Sequence, residues 1–171
     1  MRSRCAAAHA ARGITLIECL IALAIVAALM GIALPSFGEA MSRARLRAAA
    51  QDLALDLGNA RLESVRQGKG QVHVTVRAGS PWCWAVGSVA DIDCNNPPTG
   101  TLRVARSDDY AGVALTRGAS AVFDGQDALA AAGLAAEFAL PSGQQLRVQV
   151  TPLGRPSVCS PEGTSLDFPR C

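Results

Sequence analysis

Glu18 is the only acid in the run "ARGITLIECLIALAIVAALMGIALPSF", which begins at Ala11. At the centre of a membrane helix a carboxylate costs about 2.5–3.5 kcal/mol on insertion scales, so its chemistry calls for a partner. If the chain were cut between Gly13 and Ile14, Ile14 would carry a new amine and Glu18 would stand in the first turns of a helix. There the backbone dipole favours negative charge. The carboxylate also gains a cation, either its own amine or that of a neighbouring subunit. Pairing between neighbours fixes the axial stagger of packed helices, because any other register leaves both charges unpaired in an apolar bundle.

Other reactive residues are sparse. The histidines are His9, near the N-terminus, and His73, in an alternating stretch that reads as a strand. A general-base mechanism in a processed chain would rest wholly on His73, so catalysis is not expected. Cys5 lies in the basic leader and Cys19 in the apolar run; Cys83, Cys94, Cys159 and Cys171 follow with no CxxC spacing. That spacing disfavours zinc and points to two disulfides in an oxidising compartment. Cys83–Cys94 and Cys159–Cys171 are the simplest pairs, although four cysteines allow three pairings. "DIDCNN", from Asp91 to Asn96, opens like a calcium loop but has Asn96 where an EF-hand needs glycine and Leu102 where it needs glutamate. It reads as an Asx-rich turn. No metal or cofactor is expected.

These residues need elements to hold them. Sixteen basic residues stand against fourteen acidic ones, but Arg2, Arg4 and Arg12 precede Gly13 and the signs balance from Ser36 onward. A neutral body gives no bulk field for nucleic acid or acidic lipid. The 21 residues between Gly13 and Pro35 would make a helix about 31 Å long, close to one bilayer core. The basic leader places its N-terminus in the cytoplasm, and Arg43, Arg45 and Arg47 oppose that orientation from a distance. A cleaved secretory signal fits poorly: the apolar run is long, Glu18 interrupts it, and no clean A-x-A site follows. After Pro35 the pattern becomes periodic. Leu46, Ala50, Leu53, Leu57, Ala60 and Val65 form an apolar stripe, and Arg47, Gln51, Asp52, Asp56, Asn59 and Glu63 form the other face. Gly68 is the expected stop. Strands are expected over Val72–Val76, Trp82–Val89, Leu102–Arg106, Ala119–Phe123, Glu137–Leu140 and Leu146–Val150. "QDALAAAGLAA" reads as a short helix or loose loop. The fold class is α+β, a long helix followed by an antiparallel sheet.

"RGITLIE" resembles the class III signal of type IV prepilins and type II secretion pseudopilins. In that family a prepilin peptidase cuts after the glycine and methylates the new N-terminus. The resemblance implies cleavage between Gly13 and Ile14, N-methylation of Ile14, a subunit-pairing carboxylate at Glu18 and a helix kink at Pro35. Ile14 stands where the family usually has phenylalanine. "ALPSF" with "RLRAAAQDLALDLGNARLESVRQGK", "AEFALPSGQQLRVQV" and "LGRPSVCSP" resemble the GspH/FimT group of minor pilins and pseudopilins, leaning to the FimT-type branch. The last of these stretches resembles that group's C-terminal strand.

The resemblance implies a type IV pilin-like fold in four parts: a cytoplasmic leader over 1–13, removed by prepilin peptidase; a transmembrane and filament-core helix over 14–35; its amphipathic continuation over 36–67; and a β-rich periplasmic head over 68–171. The implied protein is a non-enzymatic minor pilin, single-pass in the bacterial inner membrane and then in a filament. Its implied partners are other pilin subunits and prepilin peptidase. The alternatives are a minor pseudopilin of type II secretion and a DNA-binding pilin for uptake. FimT-type pilins implicated in DNA uptake carry G-R-x-R; here Gly154-Arg155-Pro156-Ser157 keeps only Arg155. One arginine offers one phosphate contact, so DNA is the weaker reading.

Overall fold

The structure is a computed structural model. It describes residues 14–68, 70–126, 133–151, 153–161 and 167–171, with 32–36 and 133–135 described by backbone alone. A long helix, α1 (Leu16–Gln67), is followed by eight strands: β1 (Gln71–Arg77), β2 (Cys83–Gly87), β3 (Thr101–Arg106), β4 (Ala114–Gly118), β5 (Ala121–Asp124), β6 (Gly133–Ala139), β7 (Gln145–Val150) and β8 (Pro156–Cys159). The chain divides into two compact units, Met1–Glu39 and Ala40–Cys171.

Within the first unit, the apolar side chains of α1 that are described are exposed, among them Ile17, Ile21 and Leu29. No helix is long and apolar enough to cross a membrane among the described residues. The side chains described in this run end at Gly31, and the expected kink at Pro35 concerns a side chain outside them.

In the second unit, the rest of α1 packs on two antiparallel sheets, ordered β3-β2-β1-β5 and β4-β6-β7-β8. Alternation in the strands decides which residues face the helix. Val74 stands opposite Val86 and Ala121 in the first sheet, and Phe138 opposite Leu115 and Leu146 in the second. Leu46, Leu53 and Leu57 of α1 meet both sets in one core, each fully buried. Trp82, Trp84, Tyr110 and Phe138 form an aromatic cluster at its centre, with Trp82 and Trp84 stacked at 5.7 Å.

The helix stops where glycine allows a left-handed turn. Gly68 has φ +73°, and its N–H bonds back to the carbonyls of Ser64 and Val65. Gly125, after β5, passes this helix end at backbone distance. A Cβ there would lie 2.4 Å from the Gly68 carbonyl oxygen and 2.5 Å from that of Ser64. Backbone cannot move aside as a side chain can, so Gly125→Ala should destabilise the fold by about 1–3 kcal/mol. Thermal melts of the detergent-solubilised chain test this; an unchanged melting temperature would mean that the close approach is not required.

Several expectations change. Val65 is exposed and Ser64 is fully buried in its place, so the inward stripe shifts by one residue at its end. Asp56, assigned to the polar face, is buried. In "QDALAAAGLAA", residues 133–136 belong to β6, so that part is strand and not helix; 127–132 lie outside the described residues. An alanine-rich stretch has little β propensity of its own, and pairing decides it: Gly133 and Leu134 lie against Val150 and Gln149 of β7, and β4 joins from Ala136 onward. Strand β4 has no counterpart in the sequence reading. Three of its five residues, Thr116, Arg117 and Gly118, are exposed and polar or glycine, which hides it.

Candidate functional site

The N-terminal site is built by the start of α1. Thr15 precedes the first helical residue, and its Oγ1 accepts the Glu18 N–H at 3.3 Å. The spacing T-x-x-E is that of a capping box, which satisfies a donor that the first helical turn leaves open. Glu18 thus stands three residues into the helix, where the dipole supports its charge. Ile14, Leu16, Ile17 and Ile21 around it are exposed. No cation meets the carboxylate among the described residues. Gly13 lies outside them, and Ile14 is the first residue described. Cys19, the next residue after Glu18, is a free, exposed thiol.

A second polar constellation keys α1 into the second unit. Asp52 and Asp56, one helical turn apart, both point toward the aromatic cluster. Tyr110 donates its hydroxyl to Asp52 at 2.6 Å. Trp84 donates its indole N–H to Asp56 at 2.8 Å, and Arg103 pairs with the same carboxylate at 2.8 Å. Burial pushes the Asp56 carboxyl above its usual value, while Trp84 and then Arg103 pull it back. The facing carboxylate in turn raises Arg103. Burial, and then the bond to Asp52, raises Tyr110. The sequence signal was the i, i+4 pair of acids, but nothing in it says that an indole from β2 sits opposite. Glu137 repeats the motif in the second sheet, buried between Arg117 at 2.8 Å and Arg147 at 3.3 Å.

The remaining candidates are held in structural roles. Cys83 bonds to Cys94, and Cys159 to Cys171. The first disulfide folds "DIDCNN" over the outer face of the first sheet, where Ile92 is buried against Ala85. The Ile92 N–H bonds to Thr75 Oγ1, Asp91 pairs with Arg77, and Asp93 accepts the Asn95 N–H. These acids are engaged by protein groups, and no cluster of three metal-ligating side chains occurs among the described residues. The second disulfide ties the C-terminus to β8, with backbone bonds between Ser160 and the 169–171 segment. His73 sits in mid-strand opposite Gly87 and Val122. Arg155 is exposed in a turn closed by its own N–H to Thr151 Oγ1.

A helix that begins apolar with one acid in its first turn, and later packs on an antiparallel β head, is the plan of a pilin-type filament subunit. The comparisons make this specific. Residues 9–34 match the prokaryotic N-terminal methylation motif. Residues 49–154 match the type II transport protein GspH family, and the chain belongs to that family. No curated relative and no solved structure matches it. The chain is therefore a minor pilin or pseudopilin with a class III signal, in a family of structural subunits.

Proposed function

We propose that the chain is a minor pilin that takes part in assembling a type IV pilus. The observation that supports this most is Glu18, a charge at the dipole-favoured start of an apolar helix with no partner inside its own described chain. In this reading residues 1–13 are a cytoplasmic leader removed by prepilin peptidase, and Ile14 carries the new, methylated amine. The helix over 14–35, kinked at Pro35, anchors the subunit once in the inner membrane. Residues 36–67 and the head over 68–171 lie in the periplasm. On assembly the helix moves into the filament core, where Glu18 meets a neighbour's amine.

Intact mass of the protein extracted from membranes of the producing bacterium tests the processing step. It should equal Ile14–Cys171 with one methyl group and two disulfides. A mature chain that starts beyond Pro35 would overturn the reading.

The same scaffold also fits a pseudopilin of type II secretion, and the description of the matched family favours that second reading. Sheared surface fibres separate the two: a pilus subunit is recovered in them, whereas a pseudopilus subunit stays with the cell envelope. For DNA uptake, Arg155→Ala should change affinity for duplex DNA less than about threefold at low salt, because a single phosphate contact carries little of such binding. A tenfold loss would restore the DNA reading.

A further inference from the structure

Strand β8 is the last of its sheet, and its outer edge is only partly used. The Thr151 N–H bonds to the Arg155 carbonyl, and the ladder continues with Gln149 opposite Ser157 and Arg147 opposite Cys159. In an antiparallel pair alternate residues exchange bonds with their partner. Arg155, Ser157 and Cys159 therefore turn their backbone groups to β7, and Pro156, Val158 and Ser160 turn theirs outward.

One outward residue already holds an extended chain. The Ser160 N–H bonds to the Pro169 carbonyl at 2.8 Å, and the Ser160 carbonyl accepts the Cys171 N–H at 3.1 Å. This C-terminal strap runs parallel to β8 and is tied to it by the Cys159–Cys171 disulfide. It does not go on to Val158. The next bond would need an N–H from Pro169, which has none. Asp167 then turns away at φ +60° and pairs with Arg47. Among the described residues no backbone group meets the Val158 N–H or carbonyl on that edge. Pro156 blunts only the donor side, because its carbonyl still faces out.

Beside this edge, between β8 and α1, lies a groove of about 580 Å³ lined by Gln51, Ala54, Leu55, Pro156, Val158 and Phe168. No charge lines it, and Gln51 is its single polar member. Val158 stands opposite Val148, which is fully buried, so Val158 and Pro156 share the face toward the helix, and Ser157 between them is exposed on the other face. A docked helix spends its N–H and carbonyl groups internally, whereas an extended chain offers both to an edge at every second residue. Its side chains opposite Pro156 and Val158 would enter the uncharged groove, and the alternate ones would lie beside Ser157 in water. We propose that the Pro156–Ser160 edge of β8 takes up an extended segment of another protein as an added strand, one with apolar side chains at every second position. The strap at Ser160 is the precedent within the chain itself. The proposal does not depend on the pilus reading.

Amide hydrogen exchange of the detergent-solubilised full chain tests the open edge. The Val158 amide should exchange about tenfold or more faster than those of Ser157 and Cys159, which bond to β7. Equal protection would overturn the proposal. A photo-crosslinking amino acid at position 157, in the producing bacterium, tests the occupant; position 89, exposed in a head loop, is the control. Adducts at 157 should exceed those at 89 by about fivefold or more, and the partner peptide should alternate apolar and polar residues. Val158→Pro removes the outward N–H without touching a β7 bond, so it should lower the melting temperature by no more than about 5 °C and abolish the adduct. Leu55→Glu, a charge set into the groove at an exposed position, should abolish it too. Adducts that persist in either variant, that come from a second copy of this chain or from helical segments, or that match the yield at 89 overturn the proposal.

Discussion

Glu18→Ala is expected to leave membrane insertion intact and to lower recovery of the subunit in filaments at least tenfold. Removing the carboxylate relieves a cost of about 2.5–3.5 kcal/mol on insertion scales, so the anchor itself should not weaken. What is lost is an ion pair in apolar surroundings, and a tenfold effect corresponds to only about 1.4 kcal/mol. The capping contact with Thr15 supplies the rival explanation, because T-x-x-E also serves the helix start locally. Glu18→Gln separates the two. Glutamine can complete a capping box but cannot pair with an amine, so it should fail in filaments as alanine does. Recovery of Glu18→Gln at the wild-type level in sheared or cross-linked filaments would sink the pairing role.

Trp84→Ala should destabilise the fold by about 3–5 kcal/mol, the range for deleting a large core side chain. Trp84 is fully buried, stacks on Trp82 and Tyr110, and gives Asp56 one of its two donors. Trp84→Phe should cost less, about 1–3 kcal/mol, because it keeps most of the ring and loses chiefly the indole N–H. Asp56 also sets a pH dependence. Its folded-state pKa lies above the usual 3.8, so its contribution to stability is fully present below that value and is lost as pH rises through the folded value. Asp56→Asn has no such titration. The advantage of wild type over Asp56→Asn should therefore shrink as pH rises from about 3.8 through the folded-state pKa. In Trp84→Phe, loss of a donor to the charged form raises Asp56 further and moves this loss to higher pH. Thermal melts across the acid range check both; an advantage that grows with pH would reverse the assignment.

The start and stop of the long helix were legible because their signals are local. The apolar run from Ile14 and the glycine at Gly68 act through near neighbours along one chain, whereas the Thr15 cap was found only in the structure. Most strands were legible for the same reason, since alternation in stretches such as Val72–Val76 records which side faces a core. β4 and the first part of β6 were not. Ala114–Gly118 and Gly133–Ala136 carry weak patterns, and pairing with other strands assigns them.

The sequence by itself determined the class of protein: a leader, a glycine, a spaced acid and an apolar run state a processing and assembly chemistry that needs no tertiary context. It also determined that α1 has an inward apolar stripe. Only the tertiary structure decided which polar residues are inside, because the burial of Asp56 depends on an indole and a guanidinium brought from β2 and β3. Likewise, only the structure showed that Leu55 and Leu62 are left uncovered. A helical pattern records which residues are apolar, but whether a face is covered depends on where the sheets end.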